Sequence, residues 1–378
     1  MKFVYFLVKP ASGLCNMRCK YCFYEDESAH RLTKTMGIMT AETSRILIQR
    51  AFAAVSPGGC ISFSFQGGEP SLAGLDFFEH FVQTVAALQP GNCTVTYAIQ
   101  TNGLLLDGKW AAFFKKHRFL VGVSVDGGQT LHDTHRVDTA GKGTWERVMQ
   151  GIRLLQKAQV EVNLLCVVTK QCAKNPVRVY KALKQTGVGY LQMIPCLDPL
   201  EERRGAMPYS LLPEDYGSFL CRLFDAWYQD WQAGRYISIR LFDDYIHLAM
   251  GLPAGTCSTC GSCGSYFVVE ADGGVYPCDF YVLDAWKMGN IHDNDLQQLK
   301  KSAAAVRFLQ ESLTHPDGCL QCHWYRLCNG GCKRDWYTQN GKQRNYYCAA
   351  FRQFFSYAAP KMMAIIREES RQAWAQRE

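Results

Sequence analysis

Cys15, Cys19 and Cys22 stand in a C-x3-C-x2-C array inside KPASGLCNMRCKYCFY, residues 9–24, directly after the apolar run Phe3 to Val8. Three thiols crowded into eight residues cannot all pair as disulfides, and they fall one short of the four ligands of a closed tetrahedral zinc site. A [4Fe-4S] cluster held by three cysteines fits better, because it leaves one iron open to bind something else. A structural zinc site with a distant fourth ligand is the plainer alternative. A second block holds Cys257, Cys260, Cys263, Cys278, Cys319, Cys322, Cys328, Cys332 and Cys348. Any single set of four from it suits zinc and a cluster equally. Eighteen cysteines in 378 residues are unusual where disulfides rarely persist, so the count itself argues for metal. The others, Cys60, Cys93, Cys166, Cys172, Cys196 and Cys221, lie mostly in apolar surroundings and read as core thiols.

The elements that must position these groups alternate. Apolar runs at Phe3 to Val8, Ile61 to Phe65, Val95 to Ile99, Leu120 to Val125, Val160 to Val168 and Tyr190 to Ile194 read as strands, with a weaker one at Tyr236 to Leu241. Between them, Thr40 to Val55, Leu75 to Leu88, Trp110 to Lys116, Thr144 to Ala158 and Val177 to Gln185 carry apolar residues at helical spacing. Repeated βα units predict an α/β fold with a parallel sheet, whose ligands collect at the C-terminal ends of the strands. Polar motifs fall at those ends: Gln66 to Pro70, Gln100 to Gly103, Ser124 to Gly127 with Arg136 beyond, and Gln192 to Pro199. His132 and His135 read as loop or structural residues. Residues 201–216 read as a connection over the strand ends, and the aromatic stripe from Pro213 to Gln232 as a core helix. In the second block, Ala271-Asp272-Gly273-Gly274 between two apolar triplets signals a β-hairpin ending just before Cys278.

A content of 48% hydrophobic and 13% aromatic residues is ordinary for a soluble enzyme. No apolar run reaches the roughly 18 residues of a membrane span, and the first one is too short for a secretory signal, so a cytoplasmic protein is expected. The formal charge of +7 counts every thiol as neutral. Three four-iron clusters with their cysteines would bring about five negative charges, so no nucleic-acid partner is inferred.

The N-terminal array, with Tyr21 just before its third cysteine, resembles the signature of the radical S-adenosylmethionine (radical SAM) enzymes. That resemblance implies a partial (β/α)6 TIM-like barrel over residues 1–240. It also implies S-adenosyl-L-methionine on the open iron, split to a 5′-deoxyadenosyl radical. Gly68 and Glu69 match the family's GGEP segment at the methionine ammonium; Ser124 and Arg136 match its carboxylate end; Leu197 and Tyr21 match further cofactor-contacting positions. The later cysteines resemble the SPASM domain, expected over residues 241–350 and followed by a C-terminal helix at 351–378. By that likeness two auxiliary [4Fe-4S] clusters use Cys257, Cys263, Cys278 and Cys332, and Cys319, Cys322, Cys328 and Cys348. Spacing leaves Cys257 against Cys260 open, and the family pattern favours Cys257.

Within that group the segments FSFQGGEPSLAGLDFFE, LVGVSVDG, FVVEADGGVYPCDFYVLD and LCNGGCKRD resemble the anaerobic sulfatase-maturating enzymes. The implied reaction oxidises an active-site cysteine or serine of a sulfatase to Cα-formylglycine, with Asp279 as the base and the auxiliary clusters as electron acceptors. The implied partners are an unfolded or extended C/S-x-P/A-x-R segment, met in an open groove, and a reducing donor such as flavodoxin or ferredoxin; a monomer is expected. Two other readings remain: a SPASM enzyme that crosslinks or epimerises another ribosomal peptide, and a non-enzymatic iron-sulfur or zinc scaffold.

Overall fold

The computed structural model describes residues 1–375. Its centre is six parallel strands whose spatial order follows the chain: β1 (Phe3–Val8), β2 (Cys60–Phe65), β3 (Thr94–Thr101), β4 (Leu120–Ser124), β5 (Glu161–Val168) and β6 (Tyr190–Pro195). Parallel neighbours need crossover connections, and helices Ala41–Ala54, Leu75–Leu88, Gly108–Lys116, Trp145–Lys157 and Pro176–Lys184 occupy them. Phe6, Phe63, Phe65, Val121, Val123 and Leu164 are all buried. Each strand carries buried apolar residues, while Phe3, Leu120 and Tyr190 at strand starts are exposed; such short apolar runs between turns are how the sequence located them closely.

The sheet does not close into a ring. Beyond β6 lies only the two-residue β7 (Ser238–Ile239). At the other edge β1 pairs in parallel with β8 (Phe267–Val269), Phe6 opposite Phe267 and Val8 opposite Val269. β8 then turns into antiparallel β9 (Gly274–Tyr276), which pairs with β10 (Gly289–Asn290). The cysteine-rich half thus continues the barrel's own sheet to ten strands.

The stretch Tyr236 to Leu241 departs from its expected strand, because Arg240 already opens a helix, Arg240–Ala249. Phe242, Tyr245 and Ile246 are buried together on one face of that helix, and this 3–4 spacing overrides the alternation before it. A hairpin of β11 (Trp336–Gln339) and β12 (Lys342–Asn345) turns at Asn340-Gly341, both residues at positive φ as a type I′ turn requires. The last helix runs Cys348–Ala375 against helix Pro213–Gln232, starting at Cys348 rather than 351. The end of the expected helix, residues 376–378, lies outside the described residues. Among the described residues no helix is long and apolar enough to cross a membrane.

Candidate active site

A cavity of about 370 Å³ opens at the C-terminal ends of β1 to β6, and the cluster loop forms one wall of it. Cys15, Cys19 and Cys22 all line it, as do Gly68, Ser124, Arg136, Leu197 and Asp279. Each sulfur has a donor: Met17 N–H to Cys15 Sγ at 3.4 Å, Glu25 N–H to Cys22 Sγ at 3.4 Å, and the Arg136 guanidinium to Cys19 Sγ at 4.0 Å. Among the described residues that line the cavity, three thiols with donors on their sulfurs and no fourth suit a cluster with an open iron. Burial pushes the Cys15 thiol up to about 11 and the Cys19 thiol up to about 12.

The glycines of Gln66 to Pro70 bring two loops together. A Cβ at Gly68 would meet the Leu14 carbonyl oxygen at 2.1 Å. Gly68 N–H donates to Ser12 O at 2.8 Å and Glu69 N–H to Leu14 O at 2.7 Å, so this turn is laced onto the cluster loop. The buried Glu69 carboxylate accepts from Thr101 Oγ1 and Asn102 N–H, both at 2.7 Å, and from Ser71 N–H at 3.0 Å. It therefore ties the end of β2 to the end of β3. Burial raises its pKa against the lowering effect of those hydrogen bonds.

Asp126, inside the strand-end motif Ser124 to Gly127, organises the β4 end. Its Oδ2 accepts from Arg136 Nε at 3.0 Å and from the Tyr21 hydroxyl, and its Oδ1 from Val167 N–H at 2.9 Å. The Tyr21 hydroxyl is thus engaged with Asp126, and Arg136 lies 5.4 Å over its ring. His132 and His135 are buried in helix Gln129–His135. His132 Nδ1 accepts from Asp126 N–H at 3.3 Å, a structural role.

Across the cavity, Asp279 accepts from Lys9 Nζ at 2.5 Å and from Gln66 Nε2 at 2.7 Å. Lys9 is wholly buried and sits 3.8 Å over the Tyr24 ring. The Tyr24 hydroxyl donates to Glu270, which also accepts from Arg31 at 2.6 Å. Gln66 opens the strand-end motif Gln66 to Pro70, but neither it nor Lys9 shows a task toward Asp279 in the sequence. The available signal was a lysine at the end of an apolar strand, which solvent alone does not explain. Glu27, 1% exposed and with neither oxygen hydrogen-bonded, lies near this pair. Burial, then the Asp279 charge, raise its pKa well above the ordinary range and favour the neutral acid.

A second cavity of about 530 Å³ shares Leu197, Tyr266 and Phe280 with the first and runs between the β6 end and the cysteine-rich half. Beside it, Cys257, Cys263, Cys278 and Cys332 line one small cavity. Charge on Cys257 bears on both Cys278 and Cys332. Cys260 instead turns its sulfur toward Ala254 O and feels Asp244. Cys319, Cys322, Cys328 and Cys348 form another group that sense one another's charge. Four thiols spaced around a cavity fit a cluster, whose ligands stand on separate irons.

The family described as the radical SAM superfamily matches residues 10–181, and the SPASM iron-sulfur cluster-binding domain matches residues 255–323. The cysteine-type anaerobic sulfatase-maturating enzyme of Clostridium novyi is 41% identical, covering 97% of this chain and 98% of that one. The serine-type enzyme of Bacteroides thetaiotaomicron is 31% identical, covering 97% and 92%. The solved structure of native anSMEcpe with bound AdoMet and Cp18Cys peptide superposes with a TM-score of 0.91 at 40% identity, covering 97% of this chain and 99% of that one. Likeness over nearly the full length, on a site that gathers the cluster loop, the strand-end polar groups and the auxiliary cysteines, places this chain among the anaerobic sulfatase-maturating enzymes of the radical SAM superfamily.

Proposed function

We propose that this protein oxidises the active-site cysteine of a sulfatase to Cα-formylglycine. The observation that carries the proposal is one cavity that holds Cys15, Cys19, Cys22 and Arg136 on one wall and Asp279 on another. The higher identity to cysteine-type relatives, 41% against 31% for the serine type, supports cysteine as the target.

In this reading Cys15, Cys19 and Cys22 hold the first cluster, and Gly68, Glu69, Ser124, Arg136, Leu197 and Tyr21 shape the S-adenosylmethionine site. Cys257, Cys263, Cys278 and Cys332 hold one auxiliary cluster, and Cys319, Cys322, Cys328 and Cys348 the other. Bound, these groups supply a hydrogen-abstracting radical and a sink for the second electron. Asp279 takes the proton of the substrate thiol, and water then replaces the sulfur of the resulting thioaldehyde, which leaves as hydrogen sulfide. Lys9 and Gln66 donate to the two Asp279 oxygens and fix the direction of the carboxylate. The second cavity receives the peptide on either side of its target, so the substrate is an extended C-x-P-x-R segment. The working units are the barrel of residues 1–240, the auxiliary-cluster region 241–350 and the C-terminal helix. A cytoplasmic monomer supplied by a flavodoxin- or ferredoxin-like reductant fits the oxygen-sensitive chemistry.

The test is anaerobic. Protein reconstituted with iron and sulfide is given dithionite, S-adenosylmethionine and a synthetic Cys-x-Pro-x-Arg peptide. A peptide loss of about 18 Da in step with 5′-deoxyadenosine is the expected result. 5′-Deoxyadenosine with unchanged peptide would redirect the assignment to another peptide modification. Neither product from fully iron-loaded protein would favour a scaffold.

A further inference from the structure

Tyr266 touches both halves of the site. It precedes β8, packs edge-on against Tyr5 of β1 with ring centres 5.8 Å apart, and lines the cofactor cavity, the peptide-side cavity and the Cys257–Cys332 cavity alike. Its oxygen lies 3.4 Å from the Asp279 amide nitrogen, which donates to it, and 3.5 Å from Cys278 Sγ. A phenol oxygen has one hydrogen. With the Asp279 N–H taking a lone pair, that hydrogen is free for the sulfur, and a metal-ligating thiolate has none of its own to offer.

We propose that Tyr266 is a positioning residue that donates a hydrogen bond to the ligand sulfur of Cys278, raising the reduction potential of the auxiliary cluster there, while its oxygen anchors the backbone of Asp279. A donor on a ligand sulfur draws negative charge from the cluster and favours the reduced state. One side chain thereby sets both the acceptor of the electron and the aim of the proton acceptor beside it. The inference rests on the reading of Cys257, Cys263, Cys278 and Cys332 as cluster ligands.

The experiment is a potentiometric titration of the reconstituted protein followed by electron paramagnetic resonance. The signal lost in Cys332→Ala identifies the cluster concerned. Tyr266→Phe, which removes one oxygen, is expected to move that midpoint to a more negative potential while the other two clusters hold theirs. 3-Fluorotyrosine at position 266, a stronger donor of nearly the same shape, is expected to move it the opposite way. Peptide oxidised per 5′-deoxyadenosine should fall roughly fivefold in Tyr266→Phe, as for one lost hydrogen bond. An unmoved midpoint in both variants at unchanged iron content overturns the proposal, as does an equal shift of all three clusters or a Cys332→Ala protein that keeps every signal. A peptide left unchanged by the wild type would instead overturn the functional reading, and full peptide oxidation by Asp279→Asn only the role of Asp279 as proton acceptor; either leaves the shift at Tyr266 standing.

Discussion

Asp279 has one carboxylate oxygen on an ammonium and the other on a side-chain amide, so its direction is fixed before any substrate arrives. Asp279→Asn keeps the shape and removes the proton acceptor. Oxidised peptide should fall about 100-fold or more while 5′-deoxyadenosine still forms, read by mass spectrometry and chromatography on the same samples. A second residue-scale effect belongs to His132. Burial, reinforced by Arg136 and opposed by Asp126 and Asp133, lowers its pKa from 6.5 to about 4. A depressed histidine contributes its stability above its unfolded value and loses it as pH falls through the folded one. Wild type should therefore lose roughly 3 kcal/mol more than His132→Asn between pH 6.5 and 4, measured by urea unfolding at each pH.

At the scale of elements, the parallel strands were legible as short apolar runs between turn residues, and β1 matches its run residue for residue although Phe3 and Tyr5 stay exposed. The cysteine arrays and Gln66 to Pro70 were legible as spacing. The tasks of Lys9, Asp126 and Tyr266 were not, since each depends on a partner that only the fold brings near. The strand-end glycines were legible as a turn but not as a loop-to-loop contact. Gly68→Ala must part that turn from the cluster loop, because the new Cβ has no room beside the Leu14 carbonyl. Iron analysis should show the loss of one cluster with the auxiliary sites retained, and S-adenosylmethionine should bind roughly tenfold more weakly or worse.

On the scale of the whole molecule, the pair Lys9–Asp279 joins residues 270 positions apart and locks the barrel to the auxiliary region. Lys9→Met would bury the Asp279 charge without a cation, at a cost of about 3–5 kcal/mol in denaturant unfolding, and adding Asp279→Asn should recover part of it. The β1–β8 ladder also has a consequence in time. β1 is synthesised well before β8, which becomes its outer neighbour. At roughly 5–20 residues per second, Lys9 waits on the order of 15 to 55 s for Asp279 to be synthesised. Until then β1 has one bare edge and the nascent cluster loop lacks a wall. A ribosome-stalled chain ending before Phe267 should therefore be cut near Cys15 by protease at doses the released protein resists, and iron delivery becomes a step that follows translation.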